Sequence, residues 1–327
     1  MKSAVLLLTF NRAENASKVL ESIRQAKVSK LYISNDGPRA GNSKDAAERE
    51  KIREMIKTID WDCDVRTRFF EENLGCGRAV SSAITWAFEE EDRLIILEDD
   101  CVPSQPFFDL CDYCLEKYLH DTRVWTVNGR SQHEDDEAFH GYDYTFSLYG
   151  HCWGWATWKR VWDGFDITSP TLKQFVAEGG MYNVFHTKKE ARFATDFYMK
   201  KLLKNPDYYK SSWATPFGLY LLMNRGLTIT PRLNLIHNIG MDGDHSHVTS
   251  KKLPWVYQLQ ASTTYTFEKE PLFVLSNAEY CYNHYKKHMK KMHHSKYSIR
   301  HIGRAVQILK EQGVSGLKKK INKKLNG

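Results

Sequence analysis

Apolar runs and amphipathic stretches alternate through the first hundred residues. Ala4–Phe10 is a continuous apolar run, as a strand buried on both faces requires. Asn15–Ala26 has its apolar residues at helical spacing, and Leu31–Asn35 is a short strand closed by Asp-Gly-Pro, a turn signal. Asp45–Ile59 reads as a charged amphipathic helix, Val65–Phe70 as a strand, Gly75–Glu89 as a helix and Arg93–Leu97 as a buried strand. This β-α-β-α-β-α-β order predicts an α/β fold, a mainly parallel sheet with helices on both faces. Such sheets bind ligands outside the carboxyl ends of their strands. That rule selects Thr9–Arg12, Asn35–Arg39 and Glu98–Asp100.

Beyond residue 120 the rhythm loosens. Val124–Val127 and Tyr144–Leu148 read as strands, then comes an aromatic stretch, Gly150–Trp162. Lys188–Lys204 and Ser212–Asn224 read as helical, Leu227–Ile229 and Asn234–Ile239 as extended, and Ser298–Gln312 as a helix. The expected organisation is an α/β half over 1–125, a second half of the same domain over 126–280, and a basic tail over 281–327.

Charge sharpens that division. The 327 residues carry a formal net charge of +7. Residues 281–327 hold 13 Lys/Arg and a single acid, Glu311, whereas the other 280 residues hold 34 basic and 39 acidic side chains. An acidic body excludes a uniformly basic nucleic-acid groove, so no nucleic-acid partner is expected. The tail reads either as a solvated basic segment or as one lying on an anionic membrane surface. No stretch approaches the roughly 18 apolar residues of a membrane helix, and the N-terminal apolar run is too short for a signal peptide. Seven cysteines, an odd number in a long chain, fit free thiols in a reducing, cytoplasmic compartment. Cys111 and Cys114 form a C-x-x-C without a second pair at zinc spacing and are expected to be buried structural thiols.

The chemistry concentrates at few places. Glu98-Asp99-Asp100 follows the apolar run RLIIL; crowded carboxylates of this kind suit Mg²⁺ or Mn²⁺ holding a diphosphate. Asp36, in SNDGPR, is either an Asx-turn residue or an acceptor for a base N–H or ribose hydroxyl. Arg12 is either a surface charge or a cation placed over the sheet edge. His237, His245 and His247 lie beside Asp242 and Asp244, a metal-ligating loop or a solvated one. Trp158 and Trp162, four apart, are expected to pack a helix on the core; Trp153 and Trp155, flanking Gly154, could stack on a sugar ring.

Taken together, TFNRAEN, SNDGPR, NLGCGRAVSSAITWAFE, LIILEDDCVPS, HCWGWATWKRVWDGFD, GLTITPRLNLIHNIG and GDHSH span about residues 4–250. In that order they resemble the GT-A glycosyltransferases, and among them the bacterial family-2-like enzymes related to N-acetylglucosaminyltransferase I, the hemolytic-protein-like group. The resemblance implies a nucleotide-sugar fold and inverting, Mn²⁺-assisted transfer from a UDP-sugar to a glycan or lipid-linked acceptor in surface polysaccharide synthesis. It implies that Glu98-Asp99-Asp100 is the DxD-type motif, with Asp100 ligating the metal and Asp99 meeting the ribose. Arg12 and Asp36 would frame the uridine, with Thr9 beside them, and Gly75 and Arg78 would pass beside the nucleotide. His247 would be the second metal ligand, and Trp153, Gly154 and Trp155 would face the acceptor or sugar. The pattern departs at one place. The family has Trp-Asp where this chain has Trp213-Ala214, and that Asp is the expected base. Either the chain lacks its base or another carboxylate serves, Asp196 or Asp207 being the candidates. A nucleotidyltransferase, the other enzyme class with a similar half, would need a Gly-rich phosphate loop that LLLTFNRAEN lacks.

Overall fold

Every residue of strand β1 (Ala4–Thr9) is buried. It is flanked by β2 (Lys30–Asn35) and β4 (Arg93–Glu98), both parallel to it, while β3 (Asp64–Phe69) adds in parallel outside β2. The computed structural model describes residues 2–131, 137–205, 207–240 and 258–289. The eight-stranded sheet has the order β3-β2-β1-β4-β8-β6-β9-β7, completed by β6 (Val124–Asn128), β7 (Tyr144–Ser147), β8 (Trp155–Trp158) and β9 (Leu227–Pro231). Strand β8 runs antiparallel to both β4 and β6, and β7 antiparallel to β9. The sheet is therefore mixed and mainly parallel, in an α/β fold. A ribbon of β5 (Cys101–Pro103) and β10 (Ile236–Asn238) stands beside it. The residues up to Cys281 form one unit, and Tyr282 begins a second.

The crossover helices follow from their spacing. Helix α1 (Ala13–Gln25) buries Ala13, Ala16, Val19, Leu20 and Ile23, one face of a 3.6-residue period. Helix α2 (Ser43–Ile56) starts at Asn42, whose side chain accepts from the Asp45 N–H at 3.1 Å, an N-cap. Helix α3 (Cys76–Ala87) buries Ala79, Val80, Ala83, Ile84 and Ala87. Helix α4 (Gln105–Lys117) has Pro106 in its first turn and buries both Cys111 and Cys114, as expected of structural thiols. The second half adds α5 (Lys159–Trp162), α6 (Pro170–Ala177), α7 (Met181–Val184), α8 (Lys188–Tyr198), α9 (Tyr208–Ser211) and α10 (Ala214–Met223). A π-helical turn, Met199–Leu203, extends α8.

One expectation needs correction. The aromatic stretch was expected to contribute a helix with Trp158 and Trp162 on one face. Instead Trp155–Trp158 is a central strand, and only Lys159–Trp162 is helical, although both tryptophans are buried. Indole rings at 155, 158 and 162 satisfy either period, and pairing with β4 and β6 on both sides decided for the strand. The helix expected over Ser298–Gln312 lies outside the described residues.

The strand order sets the place of the site. From β1 the chain moves outward through β2 and β3, then crosses back to lay β4 on β1's other side. The order therefore reverses between β1 and β4, and the loops after these two strands diverge to open a crevice at their carboxyl ends.

Candidate functional site

Four segments meet at this crevice: the β1–α1 loop, the end of β2, the loop before α3, and the acidic triplet. Thr9 is buried; its hydroxyl donates to the Ser34 carbonyl at 3.1 Å and accepts from Asn35 Nδ2 at 3.0 Å. Asn35 Nδ2 also donates to the Phe10 carbonyl at 2.9 Å, which pins the TFNR turn to β2. A cavity of about 240 Å³ opens here, lined among others by Thr9, Asp36, Gly75, Cys76, Glu98 and Asp99. That is below the roughly 300 Å³ at which pockets for drug-sized ligands begin, so it has room for a base rather than a whole nucleotide sugar. A larger groove of about 850 Å³ runs along the outer faces of α1 and α2 and reaches the site only at residues such as Arg12 and Gly240.

Asp36 is committed inward. Its Oδ1 accepts from the N–H groups of Gly37 and Leu74, each at 2.9 Å. Its Oδ2 accepts from Asn73 Nδ2 at 3.0 Å and the Gly75 N–H at 3.1 Å. Four donors fill the lone pairs of one carboxylate. Neither simple reading holds: Pro38, two residues on, has no N–H to close an Asx turn, and the filled carboxylate instead holds the 73–75 loop against the end of β2. Gly37 makes that contact possible, because a Cβ there would lie 2.3 Å from the Glu72 carbonyl carbon. Burial raises the Asp36 pKa against the lowering effect of the Leu74, Gly37 and Gly75 N–H groups.

Arg12 turns onto the carboxylates: Nη1 lies 3.0 Å from Asp100 Oδ2 and 4.0 Å from Asp99 Oδ1. Asp99 is buried and accepts from the Phe10 N–H at 3.2 Å. Its pKa is raised first by burial and then by the charge of Asp100, with Arg12 opposing. Glu98 is likewise raised by burial and by its two acidic neighbours, with the nearby Trp213 side chain opposing. One arginine does not neutralise three carboxylates, so the crevice favours a further cation.

Asp100 is wrapped by the β5–β10 ribbon. Its Oδ1 accepts from Cys101 Sγ at 3.3 Å and from Asn238 Nδ2 at 3.4 Å, while its carbonyl accepts from the Ile239 N–H at 2.8 Å. Gly240 closes the wrap, since a Cβ there would stand 2.2 Å from Asp100 Oδ2. His237 is diverted, its Nδ1 lying 2.7 Å from Gln260 Oε1. Asp242, Asp244, His245 and His247 lie outside the described residues. Among the described residues no three His, Cys, Asp or Glu side chains converge to hold a metal ion. The hard oxygens of the triplet nevertheless have the right chemistry for Mg²⁺ or Mn²⁺, provided that diphosphate oxygens and water supply most of the shell, as Mg²⁺ sites commonly allow.

The remaining candidates are placed as follows. Gly75 precedes α3, and Arg78 is exposed, its guanidinium 5.8 Å from the Tyr209 ring centroid. Helix α9 lies over this start of α3: a Cβ on Gly75 would be 3.0 Å from the Lys210 carbonyl oxygen. Trp153 is half-buried, with the Arg130 guanidinium stacked 3.9 Å over its ring. Gly154 accepts from the Gly129 N–H at 2.8 Å. Trp155 must be corrected: it is 1% exposed and stacks on Trp213 at 5.2 Å, so it is core and offers no face to a sugar. The alternative bases lie on or beside helices of the second half. Asp196 is exposed on α8, and Asp207 pairs with Lys210 at 3.0 Å. Ala214 opens α10 directly after Trp213, so position 214 adjoins the residue that touches Glu98.

Sequence reasoning missed Asn73, Asn238, Arg130 and the Trp213–Glu98 contact. Asn238 had a signal, since it sits in the extended stretch 234–239, but only strand pairing with Cys101 brings it to Asp100.

No family model and no curated protein matches this chain. Among solved structures, one similar chain is mouse xyloside xylosyltransferase 1 in its apo form, at 12% identity, covering 68% of this chain and 82% of that one, TM-score 0.34. Another is HddC from Yersinia pseudotuberculosis complexed with GMP-PN, at 14% identity, 50% and 80% coverage, TM-score 0.31. A third is 4-diphosphocytidyl-2C-methyl-D-erythritol synthase from Anaerococcus prevotii, at 11% identity, 53% and 81% coverage, TM-score 0.32.

Proposed function

We propose that this protein is a GT-A-type, metal-dependent glycosyltransferase that takes a UDP-sugar as donor. The observation that carries the reading is the acidic triplet, its middle residue Asp99 buried, at the switch point between β1 and β4, beside a base-sized cavity and countered by Arg12 alone among the cations named above. In this reading the uracil occupies the cavity over Thr9, and the ribose lies at its mouth, where Asp99 meets it. Asp36 shapes the cavity wall by holding the 73–75 loop. Asp100 would hold a divalent cation, and Arg12 would then be free to pair with the diphosphate. His247 would be the second ligand of this cation. A bound divalent cation supplies Lewis-acid stabilisation of the leaving diphosphate. The sugar extends toward Trp153 and Arg130, and the acceptor, a glycan or lipid-linked hydroxyl of surface polysaccharide synthesis, approaches from that side. Inverting transfer then needs a base for the acceptor proton.

Calorimetry with UDP and Mn²⁺ tests this. The expected result is Mn²⁺-dependent UDP binding that Asp100→Ala abolishes. Absence of binding, or binding that survives Asp100→Ala unchanged, refutes the proposal.

One observation favours a second reading, a non-catalytic nucleotide-sugar binder. Position 214 adjoins the acidic site through Trp213 and carries alanine, which accepts no proton. Ala214→Asp separates the two. A gain of donor hydrolysis or transfer identifies a chain lacking only its base. Full transfer with Ala214 in place identifies a base elsewhere and ends the binder reading.

A further inference from the structure

Residues 269–277 form a loop fixed at both ends to the sheet's edge strand β7. The Lys269 N–H donates to Asp143 Oδ2 and the Asp143 N–H to the Lys269 carbonyl, each at 2.8 Å. The Asn277 N–H donates to the Phe146 carbonyl at 2.8 Å, and Asn277 Nδ2 to Thr145 Oγ1 at 2.9 Å. Arg123 Nη1 holds the Val274 carbonyl at 3.2 Å, and Glu270 is ion-paired with Lys117. A loop tied this firmly could have turned its apolar side chains inward. Instead Leu272, Phe273 and Leu275 are 80%, 72% and 67% exposed. The other exposed large apolar side chains among the described residues, Tyr113 and Tyr182, are 38% and 49% exposed and end in hydroxyls. Three aliphatic and aromatic groups held in water by a fixed backbone mark a surface that is buried against something else.

The charge that follows identifies the partner. Six residues after Leu275 the chain enters the segment 281–327, with 13 Lys/Arg against one acid. A second copy of the chain carries the same excess of positive charge, whereas an anionic surface complements it. Three side chains also fall far short of the roughly 1,200 Å² that stable protein interfaces bury. An anionic bilayer satisfies both features, because its boundary takes apolar side chains a few ångströms deep while its headgroups attract Lys and Arg. We propose that Leu272, Phe273 and Leu275 form a wedge that inserts into an anionic lipid surface, with the Lys/Arg-rich segment supplying the electrostatic half of the attachment. Either signal alone binds weakly, and the two together anchor. The inference is independent of the donor site, since its test contains no nucleotide.

Sedimentation of the full chain with phosphatidylcholine vesicles, and with vesicles of phosphatidylcholine and phosphatidylglycerol, reads the attachment. The expected result is binding to the mixed vesicles that weakens in high salt and is much poorer on phosphatidylcholine alone. Leu272→Ser/Phe273→Ser/Leu275→Ser should bind the mixed vesicles at least about tenfold more weakly with an unchanged thermal midpoint. Phe273→Asp alone should fall in the same direction, and Phe273→Trp should bind like the parent. The inference is overturned if the serine variant binds as the parent does, or if the parent ignores phosphatidylglycerol. It is equally overturned if the substitutions turn a dimer into a monomer by light scattering while vesicle binding stays the same.

Discussion

Asp45 offers a direct test of what holds the crevice loops together. It sits in the first turn of α2 with 1% of its surface exposed. Its Oδ2 accepts from Arg39 Nε at 2.7 Å and the Arg39 N–H at 3.2 Å; its Oδ1 accepts from Arg39 Nη2 at 2.9 Å and Asn11 Nδ2 at 2.8 Å. One carboxylate therefore ties the TFNR loop and the SNDGPR loop to α2. The Arg39 fork holds its pKa down to about 2 from an ordinary 3.8, outweighing the effect of burial. A depression of that size corresponds to about 2 kcal/mol of folding free energy at neutral pH. Because the folded pKa is the lower one, this stability is complete well above pH 4, falls to about 1 kcal/mol at pH 3 and vanishes below pH 2. Asp45→Asn keeps the shape and removes the charge. Urea unfolding followed by circular dichroism should show the variant about 2 kcal/mol less stable at pH 7, with the gap between the two proteins closing as pH falls from 5 to 3. A gap under about 0.5 kcal/mol at pH 7, or one that does not change with pH, would refute the assignment of this stability to the ionised carboxylate.

Other substitutions probe the rest of the site. Gly37→Ala drives a Cβ into the Glu72 backbone and should cost about 1–3 kcal/mol in urea unfolding while weakening UDP binding, because the Asp36 bonds to the 73–75 loop must open. Arg12→Ala removes the counter-charge of Asp99 and Asp100 and should lower stability by about 1–3 kcal/mol; thermal melts should show Mn²⁺ restoring most of it. Ile95→Ala empties a fully buried position in β4, between β1 and β8, and should cost about 2–5 kcal/mol without a change in the ratio of UDP affinities with and without Mn²⁺.

The parallel half was legible because its information is local. Continuous apolar runs at β1 and β4 state burial on both faces, and Ala16, Val19, Leu20 and Ile23 state the helix period. The chain order of those elements also places Glu98–Asp100 at a carboxyl edge, so the triplet could be found before any coordinates. Trp155 could not be assigned, since an indole beside glycine suits a ligand wall as well as a core, and the stacking of Trp213 from a distant helix decided it.

What the sequence determined by itself was the α/β class, the acidic triplet, the alanine at 214 and the uneven charge of body and tail. These depend on composition, on period and on neighbours within one element. The tertiary structure decided which groups meet those residues. It turned Asp36 inward onto the 73–75 loop, laid Asn238 and Gly240 around Asp100, set Arg12 against two carboxylates, and joined Trp213 to Glu98. It also left Leu272, Phe273 and Leu275 in solvent. Contacts between residues far apart in the chain, up to 138 positions for Asn238 and Asp100, are fixed by strand pairing and helix packing across the whole sheet. No local pattern of apolar and polar residues encodes them.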